Sequence, residues 1–286
     1  MARRDDDAVR ERAAHWILLA AVAMAPALAG SCSGGGTPVG AQAGRHVEVN
    51  GIRMYYETRG AGSVLVLLHG GAGNGEQFGG QVPAFEKRFR LVVPDMCAQG
   101  RTTDRPGPLT YHAMAEDVIA LMDRLGVKRF DIMGWSDGGV TGLDLAIHHP
   151  ERLRRLVTFG ANFSPDGLQP ADVAWNDTAT AAAFGDGMRQ GWTRLSPEPG
   201  HYEAAMNKII HMWKTEPRFT AAELHSIRAR VLVGAGEHDL IRLEHTRALA
   251  ASIPGAQMWI VPGASHGAML EKPAEVNARV IDFLTH

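Results

Sequence analysis

The sequence predicts an α/β fold: a mostly parallel sheet of about eight strands with helices on both faces, interrupted by one helical insertion. Three observations predict it. Short apolar runs alternate with stretches whose apolar residues recur at helical spacing, the rhythm of successive strand–helix units. That rhythm lapses between Gly160 and about Ile227, where polar and Ala-rich stretches carry three of the six tryptophans, Trp175, Trp192 and Trp213. Lastly, Gly134-Trp135-Ser136-Asp137-Gly138-Gly139 stands between a strand-like run, 129–133, and a helix-like run, 140–149, which is the composition of a sharp strand-to-helix turn.

Taken in order, residues 1–32 read as an export leader, with early arginines, an apolar run over 16–28 and small residues ending Ala27-Leu28-Ala29 ahead of Cys32. Cleavage after Ala29 predicts a periplasmic protein; acylation of Cys32 predicts one tethered to the membrane by lipid. Asp5, Asp6, Asp7 and Glu11 dilute the early charge and point to the alternative, a plain extension on a cytoplasmic protein. Residues 33–45, rich in Gly and small side chains, read as a flexible tether. The globular domain then spans 46–286, with its insertion, a cap over the active site, at about 162–227.

Asn50-Gly51 between two alternating runs predicts a hairpin at the sheet's edge. Residues 63–68 form a continuous apolar run suited to a strand buried on both faces, and it opens into His69-Gly70-Gly71-Ala72-Gly73-Asn74. A helix is expected over 77–85, a strand over 90–93 closed by Pro94-Asp95, and a helix over 111–125. Asp95 sits at a strand end ahead of Ser136, which suits a structural role. The helix after the turn stops at His148-His149-Pro150, and 153–159 is the next strand. Adjacent helical histidines point in different directions and no ligand follows four residues on, so this pair predicts no metal site. Alternation resumes with strands at 230–233 and 257–261 and helices at 243–251 and 273–284.

Composition removes other classes. With 29 Lys and Arg against 31 Asp and Glu, the net charge is −2, so there is no basic field for nucleic acid. Two cysteines, Cys32 and Cys97, provide no disulfide framework, so a chain that is 45% hydrophobic holds its fold by packing.

A serine hydroxyl is a poor nucleophile at neutral pH. Ser136 therefore needs a base, and the base an orienting carboxylate. Two late loops supply them: Gly236-Glu237-His238-Asp239 after one strand, and Gly263-Ala264-Ser265-His266-Gly267 after the next. Asp239 is preferred to Glu237 and His238 because a side chain beyond the strand end can turn back toward His266. The backbone amides of Gly71 and Asp137 are the expected oxyanion donors. Trp135 and Asp137, flanking the serine, are candidate substrate contacts. The Asp137 carboxylate either attracts a cationic substrate or caps the following helix.

With Ser136, Asp239 and His266 in this order, the chain from His46 onward resembles the α/β-hydrolase superfamily. Gly73-Asn74-Gly75-Glu76, Gly160-Ala161-Asn162 and Gly236-Glu237-His238-Asp239 are similar to its valacyclovir hydrolase, or biphenyl-hydrolase-like, branch. The segment 96–101 lacks that branch's usual Arg-Gly-x-Gly form. The resemblance implies a cofactor-free enzyme, without a metal, that cleaves a small to medium carboxylic ester through an acyl-enzyme. It leaves open C–C bond or lactone hydrolysis on the same triad, and a ligand-binding protein with little turnover.

Overall fold

A computed structural model describes residues 44–286. The leader with Ala29 and Cys32, and the tether up to residue 43, lie outside the described residues. The first strand, β1 (Arg45–Val49), starts where the tether was expected to end and pairs with β2 (Ile52–Arg59) through Asn50 and Gly51, at φ 45° and 80°. Two consecutive positive φ values make the tight turn that follows the twist of a hairpin.

Next come β3 (Val64–Leu68), α1 (Val82–Phe85), β4 (Arg90–Pro94), α2 (Tyr111–Arg124), β5 (Phe130–Trp135), α3 (Asp137–His148) and β6 (Leu153–Phe159). Helices α4 (Pro170–Thr178), α5 (Gly185–Leu195), α6 (Tyr202–Thr215) and α7 (Ala221–His225) follow without an intervening strand. The chain ends β7 (Arg230–His238), α8 (Leu243–Ser252), β8 (Gln257–Ser265), α9 (Ala268–Glu271) and α10 (Pro273–Thr285).

The sheet has eight strands in the order β1-β2-β4-β3-β5-β6-β7-β8, with β1 and β2 antiparallel and the rest parallel to one another. Its central strands carry the period of two that a doubly covered sheet imposes. Val64, Val66 and Leu68 of β3 join one apolar cluster with α2, α3 and the helices between β6 and β7; Leu65 and Leu67 join the other, with Phe85 of α1 and Val280 of α10.

Four boundaries depart from the sequence reading, each for a physical reason. The expected helix over 77–85 is a 3-10 turn (Gly75–Phe78) and the single turn α1, divided by Gly79-Gly80, a pair that weakens any helix. The elbow helix starts at Asp137 rather than 140, because its first residues are glycines with no apolar period to read. β7 and β8 run on to His238 and Ser265, past their apolar runs, with a register shift after Gly236. These extensions are exposed on part of their length and carry no hydrophobic signature.

Candidate active site

Ser136 stands between β5 and α3 with φ 52° and ψ −118°, a backbone conformation costly for a residue with a side chain. The turn is held on both sides: the Ser136 amide donates to Phe159 O of the neighbouring β6 (2.7 Å), and its carbonyl accepts from Val140 N (3.0 Å). Gly138 makes this packing possible, since a Cβ there would lie 2.0 Å from the Leu68 carbonyl oxygen. Ser136 is thus presented half-exposed at the carboxyl edge of the sheet.

Asp239 and His266 arrive from the ends of β7 and β8, which pair with each other on the far side of β6. His266 Nδ1 lies 2.7 Å from Asp239 Oδ1, with both side chains essentially inaccessible. Asp239 Oδ1 also accepts from Ile241 N (2.9 Å), and Oδ2 from Gly236 N (3.3 Å), so three donors fix the carboxylate. Donation from Nδ1 makes Nε2 the basic nitrogen of the ring. The rival groups on this loop go elsewhere: Glu237 accepts from Gly263 N (2.7 Å) and His238 is exposed.

Trp135, directly before the serine, donates from Nε1 to His266 O (2.8 Å), with the two rings 5.7 Å apart. The residue expected to contact substrate therefore also carries the histidine loop. Gly160, at φ 60°, lies beneath the imidazole; a Cβ there would stand 2.6 Å from His266 Cε1 and 3.3 Å from Asp239 Oδ2.

On the other side of the serine, the Gly70 amide donates to Gln77 Oε1 (3.0 Å), and Gly71 and Asp137, whose backbone amides are the expected oxyanion donors, both line the cavity. His69 anchors this loop: Nδ1 donates to Gly70 O (2.8 Å) and Nε2 accepts from Met96 N (2.9 Å). Burial holds its pKa below the usual histidine value, which suits a neutral structural ring. Asp95 accepts from Gly75 N and Arg101 N (2.8 Å each), tying the loops that surround it.

The Asp137 side chain lies in the first turn of α3, at the cavity wall. It is buried, and Tyr111 Oη of α2 donates to Oδ1 (2.9 Å) while Trp213 Nε1 of α6 reaches both oxygens (3.0 and 2.8 Å). Burial pushes its pKa up to about 6, against these two donors and His266. With both oxygens engaged, the carboxylate ties the elbow to α6.

Ser136, His266, Trp135, Asp137 and Gly71 all line one cavity. Leu168, Phe184, Met188, Trp213, Leu240 and Ile241 give it apolar walls. Phe184 and Trp213 are the aromatics of the 162–227 segment that line it; Trp175 stands edge-on to Phe184 (5.2 Å), and Trp192 edge-on to Tyr202 (5.7 Å) while donating to Ala98 O (3.4 Å) outside the segment. Asn176 also lines the cavity, and its buried Oδ1 makes no hydrogen bond among the described residues. Tyr111, Trp213 and Asn176 were not singled out as site residues from sequence; their contacts span tens of residues and leave no local pattern. Cys97 is no competing nucleophile, because burial pushes its thiol up to about 11.

A doubly covered, mostly parallel sheet, with a strained serine at the central strand-to-helix turn and a buried His–Asp pair at the ends of β7 and β8, defines a cleft hydrolase of the α/β class. The chain belongs to the alpha/beta hydrolase fold family, whose sequence profile matches residues 63–215. It is 31% identical over 259 residues to RutD of Caulobacter sp. (strain K31), provisionally named a carbamate hydrolase, covering 81% of this chain and 96% of that one. Serine hydrolase BPHL of Mus musculus is 28% identical over 257 residues, 83% of this chain and 85% of its own, which places the biphenyl-hydrolase-like branch among the relatives. The solved structure of Est816, described as an N-acyl homoserine lactone degrading enzyme, superposes with a TM-score of 0.70 at 27% identity, covering 84% of this chain and all of its own.

Proposed function

We propose that this hydrolase is a serine esterase acting on small to medium carboxylic esters through an acyl-enzyme on Ser136. The observation that carries the reading is the buried 2.7 Å His266–Asp239 pair, whose His266 lines the same cavity as Ser136. Nε2 of His266 takes the Ser136 proton as Oγ attacks the ester carbonyl. Asp239 holds the tautomer and stabilises the imidazolium that forms. The amides of Gly71 and Asp137 receive the developing oxyanion, where one donor is worth on the order of 3 kcal/mol. His266 then protonates the departing alkoxide, and a water molecule repeats the cycle on the acyl-enzyme.

The cavity walls are apolar over most of their area, with Gln77, Asn162, Asn176 and Glu216 as further polar positions. That supports an uncharged substrate with an apolar acyl or alcohol group. Engagement of both Asp137 oxygens argues against the ammonium preference that its position alone suggested. Segment 162–227 serves, in this reading, as the cap over the site. The likeness to Est816 supports lactones, which are cyclic esters cleaved by the same attack, as a second substrate group.

The test is turnover of p-nitrophenyl esters of graded acyl length and of acylated lactones, by the wild type and by Ser136→Ala. The expected outcome is wild-type hydrolysis, favouring neutral over aminoacyl esters, with a loss of about 10⁴-fold or more in the variant. Equal rates for the two proteins, or no turnover by the wild type on the whole panel, would refute the proposal.

A further inference from the structure

Away from the catalytic cavity, one cluster of side chains has the geometry of a chelate. Asp144 and His148 lie one turn apart on α3 and so share a face, and His112 reaches them from the first turn of α2. His112 Nδ1 is 3.0 Å and His148 Nδ1 is 3.2 Å from the same oxygen, Asp144 Oδ1. One ligand atom from each of the three residues falls within 4.8 Å of the others, and the two rings are 4.6 Å apart. We propose that His112, Asp144 and His148 form a binding site for one divalent transition ion of the zinc, nickel or cobalt type.

The separations carry the argument. With metal–nitrogen and metal–oxygen bonds of about 2.0–2.2 Å, neighbouring ligand atoms of an octahedral or tetrahedral ion stand about 3.0–3.5 Å apart. The two edges to Asp144 Oδ1 are already of that length, and the third is under 4.8 Å, so an ion can enter by displacing protons from the imidazoles. Two imidazoles with one carboxylate suit borderline transition ions, whereas magnesium and calcium call for oxygen ligands alone. Burial favours the carboxylate as a ligand: the Asp144 side chain is 5% exposed, while His112 and His148 are 55% and 40% exposed and leave the mouth open. The sequence reading dismissed His148 because no ligand follows it; the ligands are one turn before it and on another helix.

The site opens into a surface groove between α2, α3 and the α6–α7 connection. Glu216 and Glu223 line this groove with Thr215 and Arg218, Glu216 accepting from Tyr111 N (3.0 Å) and Glu223 from Thr220 N (2.7 Å). Tyr111 and Glu216 line both this groove and the catalytic cavity, so the two sites share a wall.

The experiment is calorimetric titration of the untagged chain with zinc and nickel chlorides at pH 7.5, with magnesium chloride as the contrasting ion. Wild type is expected to bind one equivalent of zinc or nickel and no magnesium. His112→Ala and His148→Ala should each weaken binding about tenfold or more. His149→Ala should bind as wild type does, since His149 pairs instead with Glu116 (2.6 Å). Because a substitution could also disturb packing, nickel-induced broadening of wild-type imidazole resonances is the direct reading, expected at His112 and His148. No binding at millimolar zinc, full retention in either His112→Ala or His148→Ala, or broadening confined to other histidines overturns the site.

Discussion

Gly160 lacks a side chain where His266 and Asp239 need the room, and that is the physical content of a glycine that sequence offered only as part of a resemblance. Gly160→Ala forces a Cβ to within 2.6 Å of the imidazole, at a positive φ that strains any side chain. We expect kcat on the preferred ester to fall about 100-fold, because displacing a reacting group by about an ångström has that effect, with an unchanged far-UV spectrum. Undiminished kcat would show that the ring has another resting place. Asp137 gives a prediction of opposite kind. Its folded pKa of about 6 lies above the ordinary carboxylate value, so between roughly pH 4 and 6 the native state holds a proton that the unfolded chain has lost. Wild-type stability relative to Asp137→Asn should therefore increase as pH falls from 6 toward 4, in urea unfolding of the two proteins side by side; the reverse slope would contradict the burial assigned to the carboxylate. Asn176 lines the cavity and its buried Oδ1 has no hydrogen bond among the described residues, so we expect it to accept one from a substrate N–H or O–H. Asn176→Leu should raise KM for esters carrying such a donor by about tenfold, one good hydrogen bond, and leave simple alkyl esters unaffected.

At the scale of elements, the elbow is where local chemistry and topology agree most closely. Gly138→Ala would place a Cβ 2.0 Å from the Leu68 carbonyl oxygen of β3, so β3 and α3 must separate; a loss of about 1–3 kcal/mol in urea unfolding is expected, together with loss of turnover. Such an element was legible because glycine spacing, an apolar strand and the later Asp and His loops all report the same constraint. The parallel strands were legible for a related reason: a strand covered on both faces is apolar along its length, as all five residues of β3 show. Elements held by pairing rather than by burial were not. The outer parts of β7 and β8 are strands because they bond to each other, and the region after residue 75 is broken by Gly79-Gly80 into turns too short to show a period. Contacts such as Tyr111–Asp137–Trp213 belong to this group as well, since no spacing rule connects residues that are 26 and 76 positions apart.

Across the whole molecule, the aromatic interior of the 162–227 segment is part of the core of the α2–α3 face of the sheet. Trp175, Phe184 and Trp192 share one apolar cluster with Val140 and Leu143 of α3 and Met114 and Val118 of α2. A segment built in this way has no core to retain when the sheet opens. We therefore expect one cooperative transition, in which near-UV and far-UV circular dichroism coincide in urea. A separate early loss of the near-UV signal would show that these helices unfold by themselves.

The hydrogen bond from Trp135 to the His266 backbone has an optical consequence. It keeps an indole 5.7 Å from the imidazole that, in the proposed reaction, gains and loses a proton in each cycle. Protonated imidazole quenches indole emission at short range, so the intrinsic fluorescence of this chain carries a component that follows the charge on the base. That component would dim and recover within a single turnover, making acylation visible in a stopped-flow trace without any chromogenic leaving group, and it would vanish in Trp135→Phe.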